Sequence, residues 1–342
     1  MEHRMLGRTG VEVSPLCLGA MMFGDWGNRD HDDSIAIINT ALEAGINFID
    51  TADVYSAGES EEIVGRALKG RRDDVVLATK FFGGMGEDPN MRGGSRRWIV
   101  RECENSLRRL QTDHIDLYQM HRPDPRIDID EPLAALSDLI HAGKVLYVGS
   151  STFLASEIVE AQWVAERRGR ERFVCEQPPY SMLVRGIEAD VLPTCSRYGM
   201  GVIPWGPLAG GWLSGRCRKD ADAAELTSRR AQRIPERYNL ERPENQRKLE
   251  AADALARLAD EAGMSLVHLA LAFVLRHPAI TAPIIGPRTM EQLTSQLGAV
   301  DVVLDDAVLD RIDEIVPPGT NFSYSDAGYL PPALADAKQR RR

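Results

Sequence analysis

The chain has 342 residues, of which 43% are hydrophobic and 27% are charged, a balance typical of a globular protein with a large core. Its 51 acidic residues exceed its 41 basic ones, giving a formal net charge of −10 that disfavours a nucleic-acid backbone or an anionic membrane as general partner. The five cysteines are widely spaced without zinc-ligand spacing, so we expect reduced thiols, no metal site and a cytoplasmic protein. The N-terminus lacks the apolar core of a signal peptide, and the longest apolar stretch, 266–275, is too short to span a bilayer.

In chain order, the first predicted element is a β-hairpin, in which two short alternating runs flank a Gly-Arg-Thr-Gly turn at 7–10. After it, apolar runs alternate with segments of helical periodicity. The runs that predict strands are 16–19, 46–50, 75–80, 114–121, 145–151, 172–177, 201–205 and 282–286. The predicted helices are capped by Asp32 or Asp33, by Ser60 and by Ser95, and then cover 131–142, 154–168, 186–197, 246–276 and 289–299.

Strands that alternate with helices imply right-handed crossovers and a parallel sheet. Eight such units in roughly 300 residues favour an α/β fold of the (β/α)8 barrel type over an open sheet. No linker divides the pattern, so we predict one domain over 1–342 with a long polar loop, 213–245, after the seventh strand. Residues 317–342 form a C-terminal tail that is expected either to fold over the strand ends or to pack elsewhere.

Four polar residues are associated with three of the predicted strands. Asp50, Lys80 and His121 stand at the ends of apolar runs, and Tyr55 follows five residues after Asp50. Because all parallel strands of a barrel end at one rim, we expect the four side chains to converge there.

These residue types suit the protonation of a carbonyl oxygen. Reduction by hydride builds negative charge on that oxygen, which then needs a proton donor or an oxyanion site. Tyrosine has a pKa near 10, and a nearby ammonium is expected to lower the pKa, while a carboxylate stabilises the buried ammonium. Tyr55 is therefore expected to be the acid, Lys80 the group that tunes its pKa, Asp50 the partner of Lys80, and His121 the residue that orients the substrate.

From LGRTGVEVSPLCLGAMMFG to the 289–299 helix, the chain resembles an aldo-keto reductase, most nearly the branch of bacterial and potassium-channel β-subunit-like proteins. The motifs FIDTADVY, ATKF and DLYQMHRPDP match the family's segments for its catalytic Asp, Tyr, Lys and His. The resemblance implies a (β/α)8 barrel and NAD(P)H-dependent reduction of aldehydes and ketones to alcohols. It predicts a small-molecule carbonyl compound as partner and carries no signal for its identity or for an oligomeric state.

No GxGxxG motif follows the first strand, so a Rossmann nucleotide site is not indicated. The resemblance instead implies an extended nicotinamide cofactor across the barrel end, with Trp205 stacking on the nicotinamide and the GPLAGG loop that follows wrapping the pyrophosphate. The cofactor-binding residues implied in this way are Gly19, Met21, Asp50, Ser151, Gln177, Trp205, Gly206, Pro207, Leu208, Gly210, Gly286, Arg288, Gln292 and Gln296.

Two positions depart from the family pattern. Thr152 replaces the usual Asn. Threonine does not offer both an amide donor and an amide acceptor to the carboxamide group of the nicotinamide. Gln296 stands where Asn is more usual. Arg288 precedes a helix, where its guanidinium and the helix N-terminus suit a 2′-phosphate, so NADPH is predicted in preference to NADH.

Flexible and aromatic side chains on the predicted loops indicate an apolar, adaptable substrate pocket. Candidates are Met21, Met22, Trp26, Tyr55, Phe81, Phe82 and Trp98.

Three other interpretations remain open. The same superfamily includes potassium-channel β subunits, so a non-catalytic NADPH-binding sensor or interaction module is an alternative, although the complete set of four residues favours catalysis. Lys80 also suits a Schiff-base aldolase, although Asp50 would keep its amine charged. A metal-dependent hydrolase built on Asp50, His121 and Asp124 lacks a second histidine at ligand spacing.

Overall fold

The computed structural model describes residues 1–219, 231 and 233–341. An antiparallel hairpin of β1 (Arg4–Met5) and β2 (Glu12–Val13) precedes a parallel sheet of eight strands. The strands of the sheet are β3 (Cys17–Gly19), β4 (Phe48–Asp50), β5 (Val76–Phe81), β6 (Ile115–Met120), β7 (Val145–Ser151), β8 (Cys175–Gln177), β9 (Gly201–Val202) and β10 (Ile284–Ile285).

The sheet has the order β10-β3-β4-β5-β6-β7-β8-β9. Backbone hydrogen bonds also join its two outer strands: the N–H groups of Thr281 and Ile284 donate to the carbonyl oxygens of Val202 and Pro204, both at 2.8 Å. These bonds close the sheet on itself. The predicted (β/α)8 barrel with an N-terminal hairpin is therefore confirmed.

Helices lie around the barrel and connect its strands. They are α1 (His31–Glu43), α2 (Glu59–Ala67), α3 (Arg96–Leu110), α4 (Asp130–His141), α5 (Ala155–Arg168), α6 (Val191–Tyr198), α7 (Pro243–Glu261), α8 (Leu266–Arg276), α9 (Met290–Leu297), α10 (Asp306–Ile315) and α11 (Pro332–Ala335).

Several predicted helix boundaries differ from the observed ones. The long helix expected over 246–276 is two helices, since Gly263 adopts φ +70° and Ser265 caps α8 by accepting from the N–H of His268. The predicted helix 186–197 is a short 3-10 turn followed by α6.

The predicted caps of the first two helices also differ. Asp30, rather than Asp32 or Asp33, caps α1. Ser60 does not cap α2 but lies inside it, where its hydroxyl donates to the carbonyl of Ala20. The residue at the N-cap position of α2 is Gly58.

Strand alternation divides the buried side chains into two clusters. One set of residues, including Phe48, Ala78, Leu117 and Cys175, packs inside the barrel. Their neighbours, such as Ile49, pack between the strands and the helices. Because side chains alternate along a strand, Asp50, Lys80 and Gln119 continue the inner set toward the C-terminal ends of the strands, here called the rim.

The loop predicted over 213–245 lies partly outside the described residues, at 220–230 and 232. Its described part ends in a 3-10 turn, Pro235–Arg237, and the next helix begins at Pro243. The tail after Pro317 contains the short helices Tyr324–Ala327, α11 and Ala337–Gln339. Within the described ranges, no single helix has the length and apolar character to cross a membrane. Among these residues, only α7 and α8 taken together reach the required length and apolar character, and the pair is bent by 95°.

Candidate active site

A buried ion pair joins the ends of β4 and β5. The Lys80 side chain is fully buried, and its Nζ donates to Asp50 Oδ2 at 2.5 Å and to the Thr51 carbonyl at 2.8 Å. Its third contact is the Tyr55 hydroxyl at 3.3 Å. A buried ammonium requires such compensation, because removing it from water without partners is costly.

A tight turn brings Tyr55 to this pair. Tyr55 begins the 3-10 segment Tyr55–Gly58, in which Ser56 and Ala57 have φ values of 49° and 56°. Non-glycine residues rarely adopt this left-handed region, and backbone strain of this kind is concentrated at functional sites. This strained turn directly follows Tyr55, whose hydroxyl contacts Lys80 Nζ.

His121 follows β6 and faces the same space. Its ring centroid lies 5.8 Å from that of Tyr55 with an edge-to-face angle of 79°. Burial, together with the charges of Arg122 and Lys80, holds the pKa of the imidazole well below its usual range. His121 is therefore neutral at neutral pH, with one N–H to donate and one nitrogen to accept.

The pKa of Tyr55 shifts in the direction opposite to the one expected from its neighbour. Burial raises the pKa of the phenol by more than the Lys80 ammonium lowers it, and Asp50 adds to the increase. The predicted decrease is wrong, since burial depends on tertiary packing that the motif does not reveal. Tyr55 is therefore fully protonated at neutral pH. Burial alone would lower the pKa of Lys80, but the nearby charge of Asp50 outweighs burial and raises it. The amine is therefore charged.

Two glutamines complete the surroundings of Asp50. Gln119 Nε2 and Gln177 Nε2 donate to Asp50 Oδ1 at 3.0 Å and 2.8 Å, and Gln177 Nε2 also lies 3.2 Å from Gln119 Oε1. Sequence reasoning missed Gln119, although a polar residue at an inward position of IDLYQMH was a signal for it. In this arrangement the Gln177 amide faces Asp50.

The two alternative chemistries find little support in these contacts. The raised pKa of Lys80 disfavours the neutral amine that a Schiff base requires. Both carboxylate oxygens of Asp124 accept from Arg126, at 2.7 Å and 2.8 Å, and neither is free for a metal shared with Asp50 and His121.

The residues predicted to hold the nicotinamide half lie along β3 and β7 to β9. Gly19 ends β3, where a Cβ would lie 2.5 Å from Ile284 Cγ2, and partly exposed Met21 follows. Ser151 Oγ donates to the Gln177 carbonyl at 2.9 Å. Trp205 is partly exposed, and its Nε1 donates to Thr152 Oγ1 at 3.4 Å.

The glycine-rich loop after Trp205 is open. A Cβ on Gly206 would meet no atom of the described residues within 4 Å, and Gly206, Ala209, Gly210 and Gly211 all have positive φ. Buried Pro207 and partly buried Leu208 anchor the loop on the barrel. Backbone of this form exposes N–H groups to a concave surface, which suits a pyrophosphate.

The predicted adenosine end lies at β10 and α9. Gln292 Oε1 accepts from the Arg288 N–H at 2.8 Å, and the Arg288 guanidinium forms no ion pair with any described residue. A Cβ on Gly286 would have open space around it. The Gln296 side chain is buried, yet its Oε1 has no hydrogen-bond partner among the described residues. A cation and a buried acceptor that both lack partners among the described residues fit a ligand with phosphate and hydrogen-bonding groups.

Of the pocket candidates, Trp26 packs against Tyr55. Its ring centroid is 5.9 Å from that of Tyr55, and Arg233 of the long loop lies over the indole at 3.9 Å. Met22 and Phe82 are partly exposed on the same rim. Phe81 and Trp98 are fully buried, and Phe81 packs on Tyr118 on the opposite strand face from Lys80. That placement does not support the predicted pocket role of Phe81 or Trp98.

The C-terminal tail contacts this rim. A Cβ on Gly328 would lie 2.5 Å from Trp205 Cζ2, so the tail backbone lies against the edge of the indole. Asp326 anchors the tail through an ion pair with the buried Lys248 of α7 at 2.8 Å. Of the two placements considered for the tail, the structure therefore has the one over the rim.

The fold and the site together define a class of protein: a (β/α)8 barrel with a buried Asp–Lys–Tyr group and a histidine at its rim. The sequence profile of the Aldo/keto reductase family matches residues 15–317, nearly the whole chain. The chain therefore belongs to the aldo/keto reductase family.

Several relatives match most of the chain. The chain is 44% identical over 332 residues to "Uncharacterized oxidoreductase YrpG" of Bacillus subtilis (strain 168), covering 93% of this chain and 97% of that protein. It is 36% identical over 298 residues to "Aldo-keto reductase YhdN" of the same organism, covering 86% and 87%. It is also 35% identical over 330 residues to "Probable voltage-gated potassium channel subunit beta" of Oryza sativa subsp. japonica, covering 92% and 97%.

Proposed function

We propose that this protein is an NADPH-dependent oxidoreductase that reduces aldehydes and ketones to alcohols by hydride transfer, with Tyr55 as general acid. The observation that carries the proposal is the contact of the buried Lys80 ammonium with both Asp50 and the Tyr55 hydroxyl. Membership of the aldo/keto reductase family supports it, as does the similarity to proteins named oxidoreductase and aldo-keto reductase.

When bound, a nicotinamide cofactor would supply the hydride that reduces the carbonyl carbon of the substrate. Tyr55 donates its phenolic proton to the carbonyl oxygen, on which negative charge develops. The Lys80 ammonium then stabilises the phenolate, and Asp50 keeps Lys80 charged. Neutral His121 donates its N–H to the same oxygen and orients the carbonyl.

The residues assigned to the cofactor are those that the family resemblance implies, and the open space around Gly206 among the described residues supports the assignment. Trp205 would stack on the nicotinamide, the 206–211 loop would bind the pyrophosphate, and Gln296 would hydrogen-bond the adenosine. The Arg288 guanidinium, which has no ion-pair partner in the described part of the chain, supports a preference for NADPH over NADH, because a 2′-phosphate is a bidentate partner for arginine. The five buried free cysteines support a cytoplasmic location.

A second candidate is a non-catalytic NADPH-binding interaction module on the same fold. It is favoured by the similarity to a probable potassium channel β subunit. The intact group of Asp50, Tyr55, Lys80 and His121 favours the enzyme.

Deuterium transfer distinguishes the two candidates. The protein is incubated with an aromatic aldehyde and NADPH deuterated at the transferable position, and the alcohol is analysed by mass spectrometry. The reductase is expected to give a singly deuterated alcohol at catalytic turnover. NADPH binding without any deuterated product would favour the interaction module.

A further inference from the structure

Arg122, the residue directly after His121, is a cation with no carboxylate partner among the described residues. It is partly buried, and its Nη1 donates to the His121 carbonyl at 2.5 Å. The guanidinium forms no ion pair with any carboxylate in the described part of the chain, although the sequence has 51 acidic residues. A guanidinium has five N–H donors, so most of its hydrogen-bonding capacity is unused.

Nearby carboxylates are already occupied. Glu176 accepts from Ser150 Oγ at 2.5 Å and from the Phe153 N–H at 3.2 Å, so each of its oxygens has a donor. Asp124 is bound by Arg126 through both of its oxygens. Arg122 is therefore the cation of this loop that has no acidic partner among the described residues.

The position of Arg122 is on the substrate side of the site. It adjoins His121, whose ring meets Tyr55. β6, which it follows, is four strands from β10 in either direction around the barrel, opposite the adenosine end. Its charge is thus far from where a 2′-phosphate would bind and close to where the carbonyl compound would bind.

The electrostatics agree with this geometry. Burial lowers the pKa of Arg122, and the nearby Tyr55 and Glu176 partly oppose that effect. A partly desolvated, unpaired charge is costly and is found preferentially at sites that bind an opposite charge.

We propose that Arg122 binds a carboxylate on the substrate, so that the preferred substrates are aldehydes or ketones that also carry a carboxylate group. The proposal rests on the reductase function proposed above and narrows its substrate class. The planar guanidinium pairs with a carboxylate through two parallel hydrogen bonds, which orients the distant carbonyl between Tyr55 and His121.

The test compares two aldehydes of similar size, 4-carboxybenzaldehyde and the neutral methyl 4-formylbenzoate. Wild type is expected to show a kcat/KM for the carboxylate at least about tenfold above that for the ester. Arg122→Met should abolish this preference, so that the ratio of kcat/KM for the carboxylate to kcat/KM for the ester falls to about one. Arg122→Lys should restore part of it, since a cation remains.

The matched control is Arg126→Met, which removes the same charge from an exposed arginine of the same loop that is already paired with Asp124. It should keep the wild-type preference. Equal turnover of both aldehydes by wild type would overturn the carboxylate proposal while leaving the reductase intact. An equal loss for both aldehydes in Arg122→Met would also overturn it, since that is the result of a purely structural role.

A binding measurement separates the two proposals. Calorimetric titration with 4-(hydroxymethyl)benzoate, the expected alcohol product, should give binding that Arg122→Met weakens and Arg126→Met does not. If neither aldehyde is reduced, the reductase proposal fails, and this difference in binding still supports Arg122 as the carboxylate site. Equal binding by all three proteins would overturn that assignment.

Discussion

The two sides of the rim differ in how completely their polar groups are paired. On the side of β4 to β6, Asp50 accepts from Lys80, Gln119 and Gln177, and the whole group is buried. On the side of β9 and β10, Gly206 and Gly286 have open space around them and Arg288 has no described ion-pair partner.

The paired side of the rim is suited to catalysis, and the open side is suited to ligand binding. Paired, buried groups are held in one geometry before a substrate arrives, which is what stabilisation of a transition state requires. Unpaired groups and open backbone have hydrogen-bonding capacity left for a ligand. We therefore expect substitutions on the paired side to change turnover, and substitutions on the open side to change cofactor affinity.

Lys80→Met should have the greatest consequence. We expect kcat/KM for an aldehyde to fall by at least about 10³-fold, since Tyr55 loses the cation that stabilises its phenolate, while NADPH affinity stays within about threefold. The measurement is steady-state kinetics combined with a calorimetric titration of NADPH.

Stability provides the control for Lys80→Met. Leaving Asp50 buried without its partner is expected to cost about 3–5 kcal/mol in the free energy of unfolding. Adding Asp50→Asn should recover most of that stability without restoring turnover. Recovery of turnover in the double variant would contradict the assigned role of Lys80.

Glu176→Gln tests the carboxyl group of Glu176, which lies on β8 between the two sides of the rim. This carboxyl accepts from the Phe153 N–H and so holds the turn that contains Thr152. Burial raises the pKa of Glu176 to about 7, above the ordinary value of 4.5. The folded protein thus keeps a proton that the unfolded chain loses, so the free energy of unfolding falls as pH rises from about 4.5 to 7, by up to about 3 kcal/mol. The glutamine variant should lack this fall.

The measurement for Glu176→Gln is urea unfolding at several pH values between 4.5 and 8. Glu166→Gln, which removes the same charge from an exposed position of α5, should keep the wild-type slope. Parallel curves for wild type and Glu176→Gln would show that this carboxyl does not titrate in that interval.

Arg288→Met addresses the open side. We expect NADPH affinity to fall about 10- to 100-fold, with kcat at saturating cofactor nearly unchanged, because a charge-assisted bidentate pair with the 2′-phosphate is lost. NADH lacks that phosphate and serves as the matched control in calorimetry. Equal weakening of both cofactors would assign Arg288 a role unrelated to the phosphate.

Thr152→Asn should have a modest and favourable effect. Thr152 has φ +61°, a conformation that a β-branched residue adopts at a cost and that asparagine tolerates. The variant should gain about 1 kcal/mol in the free energy of unfolding and bind the cofactor a few-fold more tightly through its amide. Thr152→Ala, which removes the hydroxyl without supplying an amide, should show no such tightening.

The sequence alone was enough to predict the barrel fold and the place of the Asp50–Lys80 ion pair at its rim. Asp50 and Lys80 end apolar runs, and alternation along each strand determines which side chains face the barrel interior. The sequence did not show that Gln119 and Gln177 bind Asp50, because that contact depends on the register of β6 and β8 against β4. The sequence also did not show the direction of the Tyr55 pKa shift, because that direction depends on how deeply the phenol is buried. Nor did it show that the tail packs on Trp205, because these segments are far apart in the chain.

The most direct test measures aldehyde reduction and NADPH binding in wild type and Tyr55→Phe. The phenol acts only as charge develops on the carbonyl oxygen, so the variant should lose at least about tenfold in turnover and bind NADPH with nearly unchanged affinity. Wild-type turnover by Tyr55→Phe, or a loss of affinity equal to the loss of turnover, would contradict the assignment of Tyr55 as the proton donor.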